Sequence, residues 1–325
     1  MSFHNVLGVD ARLCFQIARF AMGVEYWHEE LIHEGQKVLL AVEKKYTETQ
    51  SKFQSVGFLQ TLTYGHTLVC DGLIQSCDAD EYVYHESLVH PALIHHPDPR
   101  TVFILGGGEG STAREVLRHR SVERCVMVDI DQVVIDSCRE HLSQNQKTFE
   151  DPRLEIIVDC ARTQLMRAGK FDVIIGDLTD PAFGSPCYFM YTKDFYNDVI
   201  LSHLNPGGIY VTQSGPAGAL SCTQVFSPIN KTCRTVFPSV VPYNAHVPSF
   251  SDCWGFNLCL PRGGAALTEE EFDARVAARE LKLSHMDGAT WVGARNLTKS
   301  IRASLAAETR LYEAQTVFGA NPLNP

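Results

Sequence analysis

Glu109, Asp129, Asp159, Asp177 and Asp180 follow one another through the middle of this 325-residue chain, each just beyond a short apolar run. Taken singly, an acid in such a place is a turn former or a helix cap. Acids beyond four successive runs point instead to a positively charged ligand. The first acid lies inside Gly106-Gly107-Gly108-Glu109-Gly110, where Gly108, Gly110 and Ala113 fit G-x-G-x-x-A and Asp129 stands where a ribose-binding acid would. Glu109 argues against a pyrophosphate, because a carboxylate in that loop repels an anion seeking free N–H groups. A nucleoside bearing a cation fits better. S-adenosylmethionine and its decarboxylated form each carry a ribose, a sulfonium and an amine, and decarboxylation removes the only anion.

Asp177-Leu178-Thr179-Asp180-Pro181 admits three readings. It is an Asp-Pro turn capped by Asp180, a D-x-x-D magnesium site lacking the phosphate loop that would accompany it, or a proton acceptor. The last has a mechanistic reason. An alkylamine with a pKa of about 10.4, taking lysine as its guide, is protonated at neutral pH and cannot attack carbon. A carboxylate can accept that proton as the amine closes on the electrophile. The leaving group, a neutral thioether released from a sulfonium, needs no acid. Such a site calls for carboxylates and aromatics, with no metal, no nucleophilic cysteine and no permanently bound cofactor.

The elements that would position these groups fall into two sets. Lys37 to Val42, Gly57 to Thr63 and Thr67 to Cys70 read as short strands, and Asp71-Gly72 as a type I′ hairpin turn. From Arg100, apolar runs alternate with helical stretches. The runs are Val102 to Leu105, Cys125 to Val128, Leu154 to Val158, Val173 to Ile175 and Ile209 to Thr212. Val134, Cys138 and Leu142 mark one intervening helix, and Phe195 to Leu204 another. This alternation implies parallel strands joined by helical crossovers, with ligands beyond their carboxyl ends. Past Gly263-Gly264 the pattern turns helical, with a capping box at Thr268 and Glu271 and a second helix over Leu297 to Tyr312. The tail from Gly319 to Pro325 reads as loose.

Composition agrees with a globular protein. A formal net charge of −10 argues against a nucleic-acid partner and permits a cationic one. The 11 cysteines form no C-x-x-C pair and read as free thiols in a reducing compartment. The first 25 residues carry Asp10, Arg12, Arg19 and Glu25 and do not read as a secretory signal; no apolar run spans a membrane. A cytoplasmic protein is the expectation. His95-His96 before Pro97 reads as a surface loop, and Trp27 with Glu29-Glu30 as packing beside a solvated face.

Gly106 to Gly110, Asp129-Ile130-Asp131, Gly176 to Pro181 and Tyr191-Thr192-Lys193 together resemble the spermidine synthase family, as do Asp71 to Gln75 and Asp80 to Tyr84. The resemblance runs from about Trp27 to Pro261. It implies an α/β fold: a Rossmann-like, methyltransferase-type domain over 83–325 with C-terminal helices, preceded by a small N-terminal β domain within 1–82. It also implies a homodimer or homotetramer that moves an aminopropyl group from decarboxylated S-adenosylmethionine to a polyamine. By that resemblance Asp177 is the proton acceptor. Gln54, His85, Glu109, Asp129, Asp159 and Cys160 bind the aminopropyl donor, and Gln75, Tyr84, Asp180 and Phe250 the acceptor.

Three departures refine it. The chain has Tyr84-His85-Glu86 where spermidine synthases usually read Tyr-Gln-Glu; Gln213-Ser214-Gly215 lacks their acid; and Phe250 stands where they show a tyrosine. With His90 to Leu93 and Ala245 to Phe250, these look like the plant-type, thermospermine-forming branch, whose acceptor is spermidine. Spermidine and spermine synthases are the alternatives within the class, and an S-adenosylmethionine-dependent polyamine N-methyltransferase is the alternative outside it.

Overall fold

The computed structural model describes residues 26–33, 35–182, 185–261 and 263–314. The stretch read as lacking a secretory signal and the tail from Gly319 to Pro325 lie outside the described residues. The chain divides into two compact units between Ala79 and Asp80.

The N-terminal unit is an antiparallel meander of five strands: β1 (Tyr26–His33), β2 (Gln36–Gln50), β3 (Ser55–Thr61), β4 (Gly65–Cys70) and β5 (Leu73–Cys77). Val42, Val56, Phe58, Leu68 and Ile74 supply its buried positions. The hairpin between β4 and β5 turns at Asp71 and Gly72, with φ of 51° and 80°, as a type I′ turn requires. Glu30 departs from the solvated face expected of it. Only 7% exposed, it accepts a hydrogen bond from Ile74 N at 3.3 Å. Burial lifts its carboxyl to about 7, against the pull of that bond.

The second unit is built on a seven-stranded sheet in the order β11-β12-β10-β9-β6-β7-β8. The strands are β6 (Thr101–Gly106), β7 (Arg124–Asp129), β8 (Leu154–Val158), β9 (Phe171–Asp177), β10 (Leu204–Pro216), β11 (Ser239–Val247) and β12 (Asp252–Leu260). β8, β7, β6, β9 and β10 run parallel, and this is the Rossmann-like half the alternation predicts. β12 pairs antiparallel with both β10 and β11, adding a hairpin that the alternating pattern did not contain. Residues along β6 alternate between the two faces: Val102 and Ile104 join one core, Phe103 and Leu105 the other.

Helices cover both faces: α1 (Glu81–His95), α2 (Ser111–Leu117), α3 (Gln132–His141), α4 (Ala161–Arg167), α5 (Phe226–Val236), α6 (Glu269–Ala278), α7 (Gly288–Arg295) and α8 (Lys299–Ala307). α1 escaped the sequence reading for a physical reason. It is buried around nearly its whole circumference and holds Pro91, so it shows neither a one-faced stripe nor an uninterrupted helical run. Pro91 cannot donate to the carbonyl four residues earlier, and Tyr243 Oη does so instead, 2.8 Å from Ser87 O. Thr268 and Glu271 form the expected capping box. Beyond it, the helix expected over Leu297 to Tyr312 is present as the shorter α8, capped by Thr298, and α7, capped by Asp287, is a further helix that precedes it. No helix among the described residues is long and apolar enough to cross a membrane. All ten described cysteines are free thiols.

His95 and His96 are not on the surface; both are buried. His95 Nδ1 donates to Pro91 O at 2.6 Å and its Nε2 accepts from Leu267 N at 3.0 Å, which requires the neutral ring. Its edge meets Trp291, with ring centroids 5.0 Å apart. Burial lowers its pKa to about 4. The unfolded chain binds that proton at about 6.5, so stability from this group is complete above that pH and is lost as pH falls toward 4, by on the order of 3 kcal/mol. Urea midpoints measured from neutral pH to about pH 4 should fall steeply in the wild type and less steeply in His95→Gln. Equal acid sensitivity in both would place that titration elsewhere.

Candidate functional site

The acids gather beyond the carboxyl ends of the parallel strands. β6 and β9 end side by side, with Gly106 opposite Asp177. Gly106 has φ of +82°, and a Cβ there would lie 2.2 Å from Asp177 O. Gly107 N donates to the same carbonyl at 3.1 Å. The chain then passes Glu109 and enters α2 at Ser111.

Asp177 is held by two hydroxyls. Tyr84 Oη, from α1, donates to Oδ1 at 2.7 Å, and Thr112 Oγ1, from the first turn of α2, donates to Oδ2 at 2.6 Å. Each carboxylate oxygen retains a further lone pair, so a fixed Asp177 can still accept a proton. Thr112 was not singled out from the sequence. Its signal was its place just inside the helix that follows the glycine loop.

Asp180 acts electrostatically on the same Tyr84 that holds Asp177. Gln213 Nε2 donates to its Oδ1 at 3.2 Å and to Tyr191 Oη at 2.8 Å. Gln213 Oε1 accepts from Gly215 N at 2.8 Å and Trp254 Nε1 at 3.0 Å, so this amide fixes the whole wall around Asp180. Burial pushes the Asp180 carboxyl up to about 6, opposed by the Gln213 bond. Gly215 has φ of +72°, and a Cβ there would meet Val225 Cβ at 2.8 Å and Asp180 Oδ1 at 3.1 Å. Val225 therefore fills the space into which a side chain would grow. Phe250, in the turn between β11 and β12, presents its ring 5.8 Å from that of Tyr84 and 4.7 Å from that of Trp254.

Asp129 ends β7. Its Oδ2 accepts from Gly108 N at 2.9 Å and its Oδ1 from Asp131 N at 2.9 Å; burial raises its pKa above the ordinary range. Asp159 follows β8 and is tied to β7 through a bond from its N to Asp129 O at 3.1 Å. Gln164 Nε2 and Cys160 N donate to its carboxylate at 2.6 and 2.7 Å and hold its pKa low. Cys160 caps α4 and stays partly exposed.

Glu109 and His85 meet across the glycine loop, with His85 Nε2 3.6 Å from Glu109 Oε2. On its other side His85 Nδ1 lies 2.8 Å from Glu81 Oε2 and 2.7 Å from Glu81 O. Arg114 Nη2 reaches both Glu81 oxygens, at 2.7 and 2.8 Å. Burial would lower the pKa of His85, but the flanking carboxylates outweigh it and raise the ring to about 9. Glu81, His85 and Glu109 are close enough to share a cation. With Arg114 already on Glu81, the cluster is an ion-pair network in its own right. Glu81 entered the sequence reading only inside a matched segment, and Arg114 not at all.

Thus Tyr84, His85, Glu109, Asp129, Asp159, Cys160, Asp177, Asp180 and Phe250 all belong to the second unit. Gln54 and Gln75 belong to the N-terminal unit. Gln54 closes the turn between β2 and β3, its N bonded to Ser51 Oγ at 3.1 Å, and Gln75 lies on β5 with Nε2 donating to Leu73 O at 3.2 Å. The acids gathered at this end of the sheet make it a setting suited to a cation.

The family profile described as spermine/spermidine synthase domain matches residues 81–265, and that described as spermidine synthase tetramerisation domain matches residues 26–78. The chain is similar to thermospermine synthase ACAULIS5 of Arabidopsis thaliana, at 42% identity over 89% of this chain and 86% of that protein. A polyamine aminopropyltransferase of Aeropyrum pernix is 38% identical, over 87% of this chain and 92% of the relative. Among solved structures, spermidine synthase in complex with the transition state analogue AdoDATO superimposes with a TM-score of 0.81 at 26% identity, over 87% of this chain and 96% of that one. Spermidine synthase from Thermotoga maritima gives a TM-score of 0.80 at 25% identity, over 87% and 95%.

The close approach at Gly106 is directly testable. Gly106→Ala meets both a positive φ and a backbone oxygen, and should lower stability by more than about 2 kcal/mol or prevent folding. Gly169→Ala, where a Cβ meets nothing within 4 Å, should leave the thermal midpoint nearly unchanged. Similar midpoints for both variants would show that the loop yields at Gly106.

Proposed function

The chain belongs to the spermine/spermidine synthase family, and on that premise we propose that it transfers the aminopropyl group of decarboxylated S-adenosylmethionine to spermidine, giving thermospermine and methylthioadenosine. The observation that carries this reading is the carboxylate of Asp177, held between Tyr84 and Thr112 beside the acid-bearing glycine loop.

In the proposed reaction the acceptor amine gives its proton to Asp177, and its freed lone pair attacks the methylene bonded to sulfur. The C–S bond breaks, its electron pair returns to sulfur, and methylthioadenosine leaves neutral. Glu109 holds the ammonium of the aminopropyl donor, Asp129 its ribose, and Asp159 with Cys160 its adenine edge; His85 completes that side. Asp180 holds an acceptor ammonium group, while Tyr84 and Phe250 line the path of the acceptor's methylenes. The support for spermidine over a shorter diamine is the acceptor wall. Val225 occupies the space beside Gly215 where an acid would stand, and Phe250 offers an apolar ring without a hydroxyl. The ends of spermidine differ by one methylene, worth only about 1–3 kcal/mol in an apolar pocket, so the ammonium partners must set the regiochemistry. The same reading has the enzyme act in the cytoplasm as a homodimer or homotetramer. The tetramerisation-domain match supports assembly, and the free thiols suit a reducing compartment.

One assay tests the reaction. Wild type and Asp177→Asn are each given decarboxylated S-adenosylmethionine with spermidine or putrescine, and the products are separated by chromatography that resolves thermospermine from spermine. The wild type should prefer spermidine and yield thermospermine. The variant should bind the aminopropyl donor but turn over roughly 10²–10⁴-fold more slowly, the usual cost of losing a positioned base. A dominant spermine peak or faster use of putrescine would reassign the enzyme to a sibling, and wild-type turnover in the variant would remove Asp177 from its role.

A further inference from the structure

His85 is enclosed, 2% exposed, with a carboxylate facing each ring nitrogen: Glu81 at Nδ1, 2.8 Å away, and Glu109 at Nε2, 3.6 Å away. Nδ1 must carry a hydrogen, because both groups within bonding distance of it, Glu81 O and Glu81 Oε2, only accept. At Nε2 the Glu109 carboxylate stands at ion-pair distance, which favours a hydrogen and a positive charge there. The charged groups facing the ring come from four places: Glu81 on its own helix, Glu109 in the glycine loop, Asp177 at the end of β9, and Arg114 of α2 behind Glu81. Arg114 gives Glu81 a second cation. Of the two carboxylates flanking the ring, Glu109 is therefore the one more readily surrendered to another cation.

We propose that His85 is the counter-charge of Glu109 in the free enzyme, and that an incoming primary ammonium takes over that carboxylate and expels the proton from His85 Nε2. Resting on the assignment of Glu109 to the aminopropyl donor, this makes His85 a specificity-determining residue that also positions the ammonium. Two cations on one half-buried carboxylate repel each other, and shedding the imidazolium proton to solvent relieves that repulsion. The Nδ1–H stays on Glu81, and the exposed Nε2 lone pair becomes a second acceptor for the ammonium. No electrons change hands; one proton leaves for each aminopropyl donor bound. The raised pKa of the ring, about 9, makes the free enzyme carry that proton at neutral pH. Affinity for the aminopropyl donor must then rise with pH below that value, while methylthioadenosine, which has no ammonium, feels no such gain.

Calorimetry on the full chain decides it, using decarboxylated S-adenosylmethionine and methylthioadenosine in two buffers of different ionisation enthalpy. Between about pH 6.5 and 8.5 the affinity ratio of the two ligands should rise on the order of 50- to 100-fold, as release of nearly one full proton requires, with the ammonium of the aminopropyl donor still protonated throughout. Buffer-dependent heat should report a proton released with the aminopropyl donor and none with methylthioadenosine. His85→Gln should bind the aminopropyl donor with neither effect; if that variant does not fold, the wild-type heats suffice. A constant ratio with no released proton, or a proton still released by His85→Gln, would overturn the role of His85 alone. Decarboxylated S-adenosylmethionine binding no tighter than methylthioadenosine at any pH would instead defeat the assignment of Glu109 beneath it.

Discussion

The site depends on how closely the backbone after β6 can lie against the last residue of β9. A Cβ at Gly106 would overlap the carbonyl of Asp177, and Gly107 N donates to that same oxygen. This contact fixes where the strand-end carboxylate projects and where the glycine loop turns into α2. Thr112, two residues into α2, is thereby brought onto Asp177, and Glu109 is left at the loop's edge. A bulkier loop would displace the carboxylate, its hydroxyl partner and the second acid together.

Charge is the second constraint, and the fold meets it by pairing α1 with α2. α1 carries Glu81, Tyr84 and His85; α2 carries Thr112, Arg114 and Glu115. The helices are joined by Arg114 on Glu81 and by a buried bond from His90 Nε2 to Glu115 Oε2 at 3.0 Å. His90 Nδ1 in turn meets His119 Nε2 at 3.0 Å. Each buried acid on this interface thus has a cation or ring nitrogen beside it, as burial of charge demands. Asp180 is different. An amide rather than a cation holds it, and burial lifts its carboxyl to about 6.

Much of this was legible in the residues. The acids beyond successive apolar runs, the I′ turn at Asp71-Gly72 and the capping box at Thr268 each rest on a short-range rule, and each is present. What failed depended on distant partners. α1 is a helix whose Pro91 gap is filled by a tyrosine hydroxyl 156 residues away along the chain. His95 looked like a surface histidine until Leu267 and Trp291 closed over it. Glu30 followed a solvated pattern yet is buried, and the grip of Gln213 on Asp180 has no local signature. Tertiary contact overrode local expectation at each.

On the proposed function, these carboxylates select a ligand of purely positive charge. The direct measurement offers the purified protein equal concentrations of S-adenosylmethionine and its decarboxylated form with spermidine, and quantifies the nucleoside released from each. Methylthioadenosine from the decarboxylated compound, with essentially no S-adenosylhomocysteine, is the expected result. S-adenosylhomocysteine as the main nucleoside would contradict it, and would make the chain a methyltransferase on the same frame.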